Sequence, residues 1–148
     1  MIKLGIASDH RGYNLKEQII DKLITQYDIT DCGTTSEESV DYPDYAFKLG
    51  NLVADKDIDF GIAICGTGIG ISIACNKVKG VRCAKVDTVE EAIATRVDND
   101  SNIIAFGEKI TIEKALELID TFIKTQASSE EKHIRRREKI FRYEEEQC

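Results

Sequence analysis

Residues 59–77 read DFGIAICGTGIGISIACNK. A short apolar run closes on Cys65, three glycines follow at alternate positions, and a second apolar pattern then begins. An apolar run bounded by a turn has the length of a buried strand, and apolar side chains at consecutive positions bury both faces. The spacing predicts a strand over 59–65, a glycine turn, and a helix from about residue 67 to 77.

The same alternation extends in both directions. Residues 2–8 predict a first strand, followed by a helix with Leu15, Ile19, Leu23 and Ile24 on one stripe. A strand at 27–32 and the polar loop 33–41 come next. Pro43, the only proline, suits the first turn of a helix bearing Tyr45, Ala46, Leu49, Leu52 and Val53. Beyond the opening stretch, 81–86 predicts a fourth strand with a helix through Val89, Ala92, Ile93 and Val97. Residues 102–106 predict the fifth, before a stripe of Ile112, Ala115, Leu116, Ile119, Phe122 and Ile123. Five such units imply a three-layer αβα, Rossmann-like fold with a parallel five-stranded sheet.

One domain is expected over 1–127. Residues 128–148, SSEEKHIRRREKIFRYEEEQC, are helical in pattern and densely charged, with Ile134 and Phe141 as the main apolar positions. So thin a stripe leaves two readings: a solvated terminal helix, or one that extends to a partner subunit. The chain has 148 residues, 42% hydrophobic and 32% charged, as expected of one soluble globular domain. Its net charge of -7 argues against nucleic-acid binding, and no apolar run reaches membrane-span length. Five scattered cysteines without a CxxC pair imply neither a zinc site nor a disulfide framework, so a reducing cytoplasm is the expected location.

The glycine turn fits none of three familiar motifs. A P-loop needs a lysine directly after its last glycine, and none occurs before Lys77. The dinucleotide fingerprint needs glycine at 71, and a phosphatase loop needs arginine there; the residue is Ile71. What remains is a cysteine at a strand's carboxyl end beside a helix N-terminus, where backbone amides favour negative charge, a thiolate included. Burial as an apolar filler is the ordinary fate of free cysteine and is assigned to Cys32, Cys75 and Cys83. Cys65 is set apart by its place, since ligands of open α/β sheets bind at strand carboxyl ends. Thr67 could donate a hydrogen bond to its sulfur. A second polar cluster, Ser8-Asp9-His10-Arg11-Gly12, ends the first strand. For it to meet Cys65, strands one and three must be neighbours, which favours the order 2-1-3-4-5.

The segments SDHRGYNLK (8–16), DCGT (31–34), DYPDYA (41–46), ICGTGIGISIACNKVKGVRCA (64–84), NDSNIIAFGEK (99–109) and KHIRRREKI (132–140) together resemble the ribose-5-phosphate isomerase B family. The wider group contains galactose-6-phosphate and allose-6-phosphate isomerases. The resemblance implies aldose–ketose isomerisation through a cis-enediolate, without metal or other cofactor, on a sugar phosphate. Cys65 matches the family's base, with Thr67 tuning it. Amides of Gly66, Gly68, Ile69 and Gly70, with Asn99, match the enediolate holders. Asp9 matches a ligand of substrate hydroxyls, and Tyr42 lies in the sugar-contact loop. His10, Lys109, Lys132, His133 and Arg136 match the phosphate grip, supplied in part by a neighbouring subunit of a homodimer or dimer of dimers. Asp98 stands where many members carry the histidine that opens the furanose ring. Three options follow: Asp98 opens the ring as a base, another group such as His10 assists, or the substrate opens unaided. Ribose 5-phosphate is the first choice of substrate, a six-carbon aldose 6-phosphate the alternative, and a non-catalytic sugar-phosphate binder the reading from another class.

Overall fold

The computed structural model describes residues 1–147; Cys148 lies outside them. Strands and helices alternate: β1 (Lys3–Ser8), α1 (Tyr13–Leu23), β2 (Asp28–Asp31), α2 (Tyr42–Ala54), β3 (Phe60–Cys65), α3 (Ile69–Cys75), β4 (Cys83–Lys85), α4 (Val89–Asn99), β5 (Ile103–Gly107), α5 (Ile112–Lys124) and α6 (Glu131–Gln147). All five strands are parallel.

The strand order is 2-1-3-5-4, which corrects the expected 2-1-3-4-5. The physical reason lies in the strands themselves. β5 is IIAFG and is buried along nearly its whole length, so it belongs inside the sheet. β4 is only CAK and half-exposed throughout, which suits an edge. The expected adjacency of β1 and β3 holds, with Ser8 opposite Ile64.

Strand alternation divides the core into two. Leu4, Ile6, Ile62, Ile64, Ile104 and Phe106 meet Leu15 and Ile19 of α1, Ala92 of α4 and Leu118 and Phe122 of α5. Ala7, Ala63, Cys65, Ile103 and Ala105 meet Ala46 and Leu49 of α2 and Ile71 and Ala74 of α3. On α4 the expected stripe needs correction: Ile93 is exposed, while Thr95 and Arg96 are buried. Arg96 is buried with its Nε and Nη1 satisfied. Its Nε donates to the Thr125 carbonyl at 3.0 Å, and Nη1 reaches Asp100 and the Ser101 carbonyl at 2.7 Å each. The guanidinium face lies over Phe60 and Phe122.

The terminal helix α6 buries no residue, yet it is tied to its own domain by polar contacts. Arg137 donates to the carbonyls of Ser128 at 2.8 Å and of Val97 and Asp98 at 3.4 Å. Glu144 accepts from the Gly80 amide, and Phe141 lies under Arg82. The apolar count missed this fastening because charged and ring-face contacts make it. Ile134, Ile140 and Tyr143 remain exposed along α6. Among the described residues no helix is long and apolar enough to cross a membrane.

Candidate active site

The carboxyl ends of β1, β3 and β5 converge on the glycine turn. Cys65 ends β3 opposite Gly107 of β5 and is 5% exposed. Its Sγ accepts the Gly68 amide at 3.2 Å. Gly68 is the N-cap of α3 with φ +83°, a conformation glycine adopts without a Cβ penalty. A Cβ there would also meet the backbone of Phe106 at 2.7 Å. The Thr67 hydroxyl, expected as a donor to sulfur, accepts from the Ile69 amide at 3.1 Å. The sulfur's amide donor is Gly68.

Asp9 is buried, and its Oδ1 accepts the amides of Arg11 at 3.0 Å and Gly12 at 3.1 Å. His10 Nδ1 accepts the Val40 amide at 3.2 Å. A neutral imidazole accepting at Nδ1 carries its proton on Nε2, which makes Nε2 a donor. Tyr42, the first residue of α2, edges its ring over Gly70, where a Cβ would lie 2.7 Å from Cζ. The loop 33–41 between these residues is anchored at its start. Ser8 donates to Gly33 at 2.8 Å and Thr34 donates to Ser8 at 2.9 Å, while Asp31 accepts from both Gly33 and the buried Lys16 at 2.9 Å.

Asp9, His10, Tyr42, Cys65 and the turn Gly66–Gly70 therefore form one group. Lys109 follows β5 at the same end and, with Arg11, lines a cleft of about 460 Å³ between α1 and the β5–α5 turn. Asp98, Asn99, His133 and Arg136 form a second group around a smaller cavity of about 180 Å³, with Arg137 and Ile140. Lys132 is mostly exposed and lies 3.7 Å from Glu130. His133 Nε2 is 3.5 Å from Asp98 Oδ1, and its Nδ1 is buried without a partner.

The two groups do not meet within one chain. α4 ends at Asn99, just before β5 starts at Ile103, and Ile103 pairs with Gly61 at the start of β3. Cys65 pairs with Gly107 at the other end, and four strand steps at ~3.3 Å separate these ends by about 13 Å.

Cys32 and Cys75 are buried as expected, whereas Cys83, on the edge strand, is half-buried. Cys32 is fully buried, which pushes its thiol up to about 11. Contact with Cys75, then burial, raises the Cys83 thiol well above its ordinary value. Two residues whose roles the sequence left unassigned stand out. Lys16 has no exposed side-chain surface yet pairs with Asp31 and Glu17 at 2.9 and 2.8 Å. Arg11 lies against Gly66. Arg11 could have been suspected from its place beside Asp9 and His10; the Lys16–Asp31 pairing joins α1 to β2 and leaves no local signal.

A family model described as Ribose/Galactose Isomerase matches residues 4–140. Ribose-5-phosphate isomerase B of Escherichia coli is 39% identical over 128 residues, covering 85% of this chain and 86% of the relative. The structure of Clostridium thermocellum ribose-5-phosphate isomerase B superposes with a TM-score of 0.94 at 43% identity, covering 99% of this chain and all of that one. That of Mycoplasma genitalium ribose-5-phosphate isomerase B, with bound ribulose-5-phosphate, superposes with a TM-score of 0.90 at 38% identity, covering 98% and 97%. Matched across most of its length in both sequence and fold, the chain belongs to the ribose/galactose isomerase family and is a sugar phosphate isomerase of the ribose-5-phosphate isomerase B type.

Proposed function

We propose that the chain interconverts ribose 5-phosphate and ribulose 5-phosphate through a cis-enediolate, with Cys65 as the base. The observation that carries this reading is the sulfur's placement, at the carboxyl end of a central strand with the Gly68 amide 3.2 Å away. The thiolate is the form able to accept a proton from C2 of the aldose and return it at C1. Charge then develops on the two substrate oxygens. The amides of Gly66 and Gly70 are the preorganised donors for it, and that of Ile69, bonded to the Thr67 hydroxyl at 3.1 Å, joins them only by leaving that oxygen. Asp9 spends Oδ1 on its own turn, which leaves Oδ2 for a substrate hydroxyl. His10 offers its Nε2 proton. The reaction is written with no metal or other cofactor. The five-carbon assignment is supported by the Mycoplasma genitalium relative, solved with ribulose-5-phosphate.

The second group completes the site from another copy of the chain. Lys132, His133 and Arg136 supply cations for the phosphate, and Asn99 an amide for the enediolate. Asp98, with the His133 imidazole beside it, opens the furanose ring by accepting the anomeric hydroxyl proton as the C1–O4 bond breaks, and the carboxyl so formed returns that proton to the ring oxygen. Lys109 reaches the phosphate from the Cys65 half. A coupled isomerase assay over five- and six-carbon aldose phosphates, on wild type and Cys65→Ala, tests the reading. Turnover of ribose 5-phosphate that vanishes in Cys65→Ala supports it. Preference for a six-carbon substrate overturns the substrate, and a fully active Cys65→Ala overturns the base.

A further inference from the structure

Arg11 reaches the glycine turn from the side away from the sulfur. Cys65 points into the α2/α3 layer, whereas Gly66 faces the α1/α5 layer. There the Arg11 guanidinium lies so close that a Cβ on Gly66 would be 2.5 Å from Nη1 and 2.7 Å from Cζ. Arg11 Nη2 donates to Glu108 Oε1 at 3.4 Å, and the Glu108 amide donates to the Gly66 carbonyl at 3.3 Å. The end of β5 supports the turn as well: a Cβ on Gly107 would be 2.9 Å from the Gly66 carbonyl oxygen. The turn is thus held between a strand end and a guanidinium plane, and Glu108 is bonded to both.

We propose that Arg11 and Glu108 form a clasp that fixes the Gly66–Gly68 turn, making Arg11 a positioning residue for the isomerisation. This rests on the isomerase reading above. Amides stabilise developing charge only if they are aimed before the charge forms. A turn with three alternate glycines has the freest backbone the chain can offer and most needs an outside restraint. A planar guanidinium can lie flat on a residue without a side chain while reaching a carboxylate; a lysine ammonium cannot do both. The pair itself is half-exposed at Arg11 and contributes little to folding, so its loss leaves the protein assembled.

The test compares full-length wild type with Arg11→Met, Arg11→Lys and Glu108→Gln. It measures kcat, KM, inhibition by a planar hydroxamate of a four-carbon phosphosugar acid, and inhibition by inorganic phosphate. In Arg11→Met, kcat and hydroxamate affinity should fall together by about tenfold, with KM and phosphate inhibition within about twofold. Lysine should recover little of this, and Glu108→Gln should show a smaller loss of the same pattern. Unchanged kcat in Arg11→Met overturns the clasp. So does a loss confined to KM and phosphate inhibition, which would make Arg11 a phosphate ligand. Wild-type turnover in the same assay judges the isomerase reading separately.

Discussion

The Gly68 amide donates to the Cys65 sulfur at 3.2 Å, and it can do so because Gly68 sits at φ +83° against the backbone of Phe106. A side chain at 68 would carry a left-handed backbone penalty of about 1–2 kcal/mol and push a Cβ into β5. Since the strand backbone cannot yield, the turn must move and carry the amide off the sulfur. Gly68→Ala should therefore lower kcat by at least about tenfold while circular dichroism stays that of the wild type. Wild-type kcat in this variant would show that the amide–sulfur geometry is dispensable.

Cys32 gives a pH dependence of stability whose sign is fixed by burial. Its thiol is held up to about 11 in the folded chain, against 9.0 ordinarily. From about pH 9 the unfolded thiol ionises while the folded one keeps its proton, so the folded state binds more protons and loses stability as pH rises. Each pH step of one between those two values removes roughly 1.4 kcal/mol, so the loss by pH 11 is of the order of 2–3 kcal/mol. Urea unfolding at pH 8 and pH 11 should show a drop in wild type that is smaller by this amount in Cys32→Ala. Equal drops would remove Cys32 as the cause.

Lys16 and Asp31 should respond unequally to substitution. The lysine side chain has no exposed surface, whereas Asp31 and Glu17 keep 43% and 46% of theirs. Lys16→Met leaves two carboxylates that water can solvate, and stability should change by less than about 1 kcal/mol. Asp31→Ala leaves a buried ammonium with Glu17 alone and strips the Gly33 amide of its acceptor, which should cost about 2–3 kcal/mol. Denaturant midpoints for the two variants decide this, and a larger loss in Lys16→Met would contradict it.

These residues also show how far the sequence could be read. The apolar runs of β1, β3 and β5 and the stripes of α1, α2 and α5 follow from local periodicity, and the Cys65 turn from its glycine spacing. Strand order was harder, because adjacency on the β4–β5 side depends on relative burial: CAK against IIAFG. Side chains that break the apolar pattern, Lys16 in α1 and Arg96 in α4, combine near partners with ones in other elements, Asp31 for the lysine and the Thr125 carbonyl with Phe60 and Phe122 for the arginine, which no local pattern reveals. The attachment of α6 through Arg137 is likewise invisible to an apolar count. The family resemblance supplied the assignments at 98 and 132–136; their separation from Cys65 by the length of a strand emerged only with the topology.

Asp98 can be tested apart from proton transfer at carbon. Ribulose 5-phosphate cannot close a furanose ring through its phosphorylated C5 oxygen, so exchange of its C1 hydrogen with solvent needs Cys65 but no ring opening. Asp98→Asn should slow turnover of cyclic ribose 5-phosphate by about 10²-fold, the range of a single acid–base group. Deuterium exchange at C1 of ribulose 5-phosphate should fall far less. Equal losses in both would place Asp98 in substrate binding or folding instead, and no loss in either would leave ring opening to the substrate itself.

The distance between the two groups of site residues makes a prediction that does not depend on any single side chain's role. If each site joins the Cys65 end of one chain to the Asp98–Arg136 end of another, a two-fold dimer contains two such sites. Cys65→Ala and Arg136→Ala homodimers would each be damaged at both. In a mixed dimer one site carries both substitutions and the other carries neither. Mixing the inactive proteins under conditions that let subunits exchange should make half the dimers mixed and restore about a quarter of wild-type activity. Recovery should grow with exchange time and stop when the chains are cross-linked before mixing. A site contained within one chain would give no recovery at any ratio, because every chain in the mixture would then carry one disabling substitution.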